Sequence, residues 1–151
     1  EMLEAVEAAL PADVAMFAAA VADWRVATPG AGKIKKAAGA APPALALVEN
    51  PDILRTIAKR GARRPALVVG FAAETEDVVA YAKAKRKAKR IPWIVANDVS
   101  EASGVFGGDR NRVHLITADN VEDWPDMDKA EVADALLRRV GDYLAQSRES
   151  V

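Results

Sequence analysis

The chain has 151 residues, 51% hydrophobic and 28% charged, which is ordinary globular composition, neither disordered nor membrane-like. No apolar run approaches the roughly 18–20 residues that a spanning helix needs, and no secretory signal pattern opens the sequence. Twenty-one Lys and Arg against 22 Asp and Glu leave a net charge of −1, so the bulk charge favours no polyanion; without cysteine there is no disulfide, thiolate nucleophile or Cys-based zinc site. The expectation is one domain, residues 1–151, in a soluble cytoplasmic protein.

Glu1 to Leu10 carries apolar residues at helical spacing with no capping residue in front, as if the sequence began inside a helix of something longer. After Pro11 and Asp13, the run Val14 to Val21 is nearly all small or apolar, which suits a strand buried on both faces; Ala-rich sequence also permits a helix there. Thr28-Pro29-Gly30-Ala31-Gly32 breaks regular structure and leads into Lys33-Ile34-Lys35-Lys36, Gly39 and Pro42-Pro43, a long loop of the kind that often serves as a lid. Ala44 to Val48 reads as a short strand. Asn50-Pro51-Asp52 then starts a helix with Ile53, Leu54, Ile57 and Ala58 on one face.

Ala66 to Val69 reads as the next strand, ending in a small-residue turn, Gly70-Phe71-Ala72-Ala73-Glu74-Thr75. A helix from about Thr75 to Lys89 follows, then a strand from Trp93 to Ala96 running out into Asn97-Asp98-Val99-Ser100. This βαβαβ alternation predicts an α/β fold: a Rossmann-like, open, mostly parallel sheet with helices on both faces. Ser103 to Asn111 is a second glycine-rich loop, Arg112 to Thr117 a further strand, and Asp128 to Leu144 a packing helix with Asp128 as its cap.

Ligands of open α/β sheets settle beyond the carboxyl ends of the strands, so the residues there are the candidates for chemistry. Asn50-Pro51-Asp52 combines a favoured N-cap with a proline pre-set for the first helical position, leaving backbone amides to attract phosphate; taken alone, it is also a plain helix cap. Asp23 follows the small residues Ala18, Ala19 and Ala20, where it could bind a ribose hydroxyl or Mg²⁺, or stand as a surface turn residue. Lys33, Lys35 and Lys36 could fold over a polyphosphate, although a short basic cluster is usually solvated surface. On the later helix Lys83, Arg86, Lys87 and Arg90 share one face. Lys85 and Lys89 continue the apolar stripe of Val78 and Ala82 and must either snorkel or meet an anion. His114, the one histidine, has no ligand spacing around it and reads as structural. There is no Walker-type loop, no GxGxxG and no nucleophile elbow.

In order, AAVADWR (19–25), KIKK (33–36), NPDIL (50–54), GFAAET (70–75), KAKRKAK (83–89) and ANDVS (96–100) resemble phosphopantothenate-cysteine ligase, also called phosphopantothenoylcysteine synthetase, which in bacteria usually forms the C-terminal half of a bifunctional coenzyme A biosynthesis protein. The resemblance covers roughly Phe17 to Asn111, with a compatible final helix. It implies a CTP-dependent ligase: CTP activates the carboxylate of 4′-phosphopantothenate as an acyl-cytidylate, and the amine of L-cysteine displaces CMP to form an amide. Such chemistry needs charge neutralisation at phosphate rather than a protein nucleophile.

By the same resemblance the nucleotide-binding residues are Ala18, Ala19, Asp23, Lys33, Pro51, Asp52, Ile53, Leu54, Phe71, Lys85 and Lys89. Lys33 takes the catalytic part, Asp23 the Mg²⁺, and Asn97 stands on the substrate side. It also implies a homodimer and a fused upstream decarboxylase domain, with FMN only in that domain. The family's glycine-rich first strand-loop unit and an Asn-bearing segment have no counterpart in this sequence, so the domain is expected to be N-terminally incomplete, inactive alone and a weak CTP binder. The competing reading is a non-catalytic nucleotide-binding or regulatory domain. Nucleic acid is disfavoured by the near-neutral charge and the 5% aromatic content, and no membrane partner is expected.

Overall fold

A computed structural model describes residues 1–30, 32, 44–100 and 108–149. In chain order the elements are α1 (Met2–Ala8), β1 (Val14–Phe17), β2 (Trp24–Val26), β3 (Leu47–Glu49), α2 (Ile53–Ala58), a 3₁₀ turn (Gly61–Arg63), β4 (Leu67–Glu74), α3 (Val78–Lys89), β5 (Trp93–Asp98), β6 (Arg110–Asn111), β7 (Val113–Ile116), β8 (Val121–Asp123), β9 (Met127–Asp128) and α4 (Lys129–Glu149). They divide into two compact units, residues 19–52 and the rest of the chain.

The larger unit holds a five-stranded sheet in the order β1-β4-β5-β7-β8. β1, β4 and β5 are parallel, and β7 pairs antiparallel with both β5 and β8, so it runs against the other four strands. The α/β, mostly parallel fold expected from the alternation is therefore present. Strand alternation sends Leu67, Val69, Trp93, Val95, Val113 and Leu115 to one face, where Val132, Leu136 and Val140 of α4 cover them. Val68, Ala72, Ile94, Ala96 and Ile116 face the other way, toward Ala58 of α2 and Ala82 of α3.

Several boundaries differ from the sequence expectation. Gly70 to Glu74 is no turn but the second half of β4, in register with Ile94 to Asp98. Small residues belong there because a Cβ on Gly70 would come within 2.7 Å of Ile91 Cδ1 and 3.0 Å of Leu54 Cδ2. β1 stops at Phe17 and is half-buried rather than covered on both faces, being an edge strand paired on one side. The strand expected at Ala44 to Val48 lies at Leu47–Glu49, outside the main sheet, in an antiparallel ribbon with β2. α3 begins only at Val78, after Asp77 in the left-handed region at φ 43°.

The final helix starts where its cap predicts. Asp128 Oδ1 accepts the Glu131 amide at 2.7 Å, and Glu131 Oε2 accepts the Asp128 amide at 2.9 Å, a reciprocal capping box. His114 pairs across β7 and β8 with Asp123, Nδ1 to Oδ1 2.6 Å. Among the described residues no helix is long and apolar enough to cross a membrane.

Candidate functional site

β1 and β4 lie side by side and in parallel, with Phe17 opposite Gly70, so the next residues, Ala18 and Phe71, meet at the carboxyl end of β1. Both border one cleft of about 430 Å³, whose other walls are Met16, Asn111 and Lys129, Val132, Ala133, Leu136 and Leu137 of α4. This volume lies within the range of about 300–1,000 Å³ usual for small-molecule sites. The walls are mostly apolar. Polar character comes from the Lys129 ammonium and the Asn111 amide, whose Oδ1 accepts Asn97 Nδ2 at 3.3 Å. Three of the expected residues are thus gathered: Ala18 and Phe71 on the walls, and Asn97 one hydrogen bond behind them.

Further along the same rim, Asp98 Oδ1 accepts the Ser100 amide at 2.8 Å, and this bond holds its carboxyl below the usual aspartate range. The Val99 amide donates to Glu74 O at 2.9 Å, fixing the chain as it leaves β5. Lys85 meets an anion from its own chain, with Nζ 3.7 Å from Glu74 Oε1. Lys89 lies one turn further, in the last turn of α3. The sheet separates these lysines from Phe71, because Phe71 packs with the α4 cluster and α3 covers the opposite face. Ile53 and Leu54 open α2, and Leu54 is spent packing over Gly70.

Ala19, Asp23, Pro51 and Asp52 belong to the smaller unit. Asp23 sits immediately before β2 and is exposed; its carbonyl accepts the Asn50 amide at 2.7 Å, while its carboxylate has no hydrogen bond or ion pair among the described residues. Asn50 does not cap α2 as expected. Its Nδ2 donates to Ala22 O at 2.7 Å, and its Oδ1 accepts Arg25 Nη1 at 3.1 Å, while Arg25 also donates to Glu49 O at 2.8 Å. The amide is used to close the ribbon beneath Asp23. α2 itself has six residues, so what its start can offer an anion is the few free amides of its first turn rather than a long helix dipole. Lys33 lies outside the described residues, as do Lys35 and Lys36.

Sequence reasoning missed Asn111 and Lys129 as wall residues. A signal existed for Lys129, which directly follows the helix cap Asp128; Asn111 depends on the pairing of β6 with β9, two-residue strands with no hydrophobic period to read.

No group of three or more His, Cys, Asp or Glu among the described residues could hold a metal by itself. Mg²⁺ needs no such cage when phosphates supply most of its oxygen ligands, and one unengaged carboxylate such as Asp23 fits that use.

A mostly parallel sheet with helices on both faces and a cleft at its carboxyl rim is an open α/β fold. The chain belongs to the family of the DNA/pantothenate metabolism flavoprotein C-terminal domain, whose model matches residues 1–144. It is 45% identical over 112 residues to the coenzyme A biosynthesis bifunctional protein CoaBC of Escherichia coli strain K12, covering 74% of this chain and 26% of that protein. The corresponding Bacillus subtilis protein is 35% identical, over 99% of this chain and 36% of its own length. A crystal structure of the C-terminal domain of a CoaBC protein superimposes with a TM-score of 0.70 at 31% identity, covering 96% of this chain and 62% of that one. The chain therefore spans about a quarter to two-fifths of the length of the curated relatives it matches.

Proposed function

We propose that this chain takes part in coenzyme A biosynthesis as the nucleotide-binding part of a CTP-dependent ligase that joins 4′-phosphopantothenate to L-cysteine. The observation that carries this reading is the meeting of Ala18 and Phe71 at one cleft on the carboxyl rim, in a chain of the family just given. Small residues at the end of β1 let a ligand approach backbone amides closely, and Phe71 offers an apolar ring for a base to rest on.

The remaining assignments rest on the resemblance and not on that cleft, from which the sheet separates Lys85 and Lys89. Asp23, with Mg²⁺, and Lys33, Lys85 and Lys89 would neutralise the triphosphate as negative charge builds during attack by the substrate carboxylate. The Pro51–Leu54 segment would contribute backbone donors. Asn97, held against Asn111, would face the acyl acceptor. Mg²⁺ would supply Lewis-acid polarisation of the phosphoryl oxygens. Lys85 would have to leave Glu74 or share it with the nucleotide. We place the protein as a cytoplasmic homodimer within a longer bifunctional enzyme.

Isothermal titration with CTP and Mg²⁺, with ATP as control, tests the site. Lys33→Ala and Lys89→Ala are each expected to weaken CTP binding about tenfold, the worth of one charge-assisted hydrogen bond to phosphate. Unchanged affinity in both variants overturns the site. Pyrophosphate release by the full-length protein, given phosphopantothenate, cysteine, CTP and Mg²⁺, tests the reaction; tight CTP binding without product would favour a regulatory nucleotide-binding domain.

A further inference from the structure

The rim of the sheet opposite the proposed nucleotide pocket is strongly basic. β4 and β5 are parallel neighbours, so the segments entering them share one edge: Lys59, Arg60, Arg63 and Arg64 precede β4, while Arg86, Lys87 and Arg90 lead into β5. β7 runs the other way and delivers its following turn, Thr117 to Asn120, to that same edge. Carboxylates among the described residues there are few. Glu7 is engaged by Arg60, Asp13 precedes β1, and Asp119 sits on the turn. In a chain of net charge −1, this is a marked segregation of charge.

Within this edge α3 and the turn enclose a cleft of about 480 Å³, lined by Lys83, Arg86, Lys87, Thr117, Ala118, Asp119, Asn120 and Val121. Its shape is fixed from both sides. Arg86 Nη1 donates to Ile91 O at 3.2 Å and Pro92 O at 3.4 Å, anchoring the end of α3. The turn is closed by Thr117 N to Asn120 O at 2.9 Å and Asn120 N to Thr117 Oγ1 at 3.0 Å. Lys83 and Lys87 are exposed on the helix wall, and neither has an ion-pair partner among the described residues.

We propose that this cleft is a second anion site, in which Lys83 and Lys87, held in place by Arg86, grip a small polyphosphorylated molecule against the Thr117–Val121 turn. The volume suits a small molecule. Among the described residues no aromatic ring stands on the walls to stack a base, which disfavours single-stranded nucleic acid. Asp119 is the one carboxylate among the described wall residues and opposes the anion, so its removal has a definite sign.

The test is a titration of the ¹⁵N-labelled chain with inorganic tripolyphosphate, read residue by residue by NMR. Shifts are expected at Lys83–Lys87 and Thr117–Val121. The double variant Lys83→Glu/Lys87→Glu should weaken binding about tenfold or more, and Asp119→Asn should tighten it several-fold, both by simple Coulomb terms. Should the double variant fold poorly, Ala118→Glu places a carboxylate on the opposite wall and must also weaken binding. Shifts absent from these residues, or an affinity unmoved by either sign of charge change, overturn the proposal. So does a single-stranded oligonucleotide that binds tenfold tighter than tripolyphosphate with shifts spread over Lys59–Arg64. Shifts at Phe71 on addition of CTP report the carboxyl rim separately, so either site can fail without the other.

Discussion

In the sheet-bearing unit, Leu67, Val68, Val69, Ile94, Leu115 and Ile116 have no measurable exposure, and two helical layers close over them. In residues 19–52 no described side chain is buried to that degree; Trp24 is 59% exposed and Leu47 55%. What closes this smaller unit is polar: the β2–β3 ladder, the Asn50 amide to the Asp23 carbonyl, and the bridge from Ala22 through Asn50 to Arg25. One unit gains its stability from removing apolar area from water. The other relies on hydrogen bonds worth only about 1 kcal/mol each, which leaves it inexpensive to open. Asp23, proposed above to hold Mg²⁺, stands in the second, and ligand-admitting regions in general belong to this low-stability class.

The contrast can be broken most forcefully from the packed side. Leu115→Ala removes three carbons from a site at 0% exposure in the α4-facing cluster and is expected to cost about 2–5 kcal/mol in urea unfolding. A loss below about 1 kcal/mol would mean that the sheet is not the seat of stability.

Asn50→Ala probes the other side. It deletes the donor to Ala22 and the acceptor for Arg25, and the expected effect is local: about tenfold faster exchange of the Asn50 amide, with the main unfolding midpoint nearly unmoved. Hydrogen exchange followed by NMR reads it directly. A lowered midpoint of the main transition instead would show that both regions unfold as one.

The same contrast explains what could be read from the sequence. The packed unit announces itself, since Leu67-Val68-Val69 and Trp93-Ile94-Val95 are apolar runs of strand length, and the period of Val132, Leu136 and Val140 matches α4. Gly70 misled because a glycine in an apolar strand looks like its end, when in fact Leu54 and Ile91 leave no room for a Cβ. Asn50 misled for the opposite reason. Its neighbours Pro51 and Asp52 satisfy the local rules for a helix start, but its amide has long-range partners at Ala22 and Arg25 that no local pattern reveals. The position of Ala18, Phe71 and Asn97 near strand ends was legible, while the roles given to Ala18 and Phe71 came from the resemblance. That Lys85 would turn to Glu74 required knowing how α3 lies on β4.

The smallest expected effect is a polar clasp placed inside the packed unit. Glu122 on β8 accepts Arg139 Nε at 3.1 Å, is also bonded by Arg139 Nη2, and accepts Trp124 Nε1 at 3.4 Å. Because Arg139 is 40% exposed and water screens the pair, Glu122→Gln is expected to cost only about 1 kcal/mol. The Arg139 hydrogen bond holds the Glu122 carboxyl below the usual glutamate range. A carboxyl depressed on folding stabilises the native state fully above its unfolded value, about 4.3, and the benefit disappears as pH falls through the lower folded value. The gap between wild type and variant should therefore hold from pH 7 down to about 5 and close below about 4. A gap of the same size at pH 3 would assign the effect to shape rather than charge. A cost as large as that of Leu115→Ala would erase the distinction between the two kinds of unit.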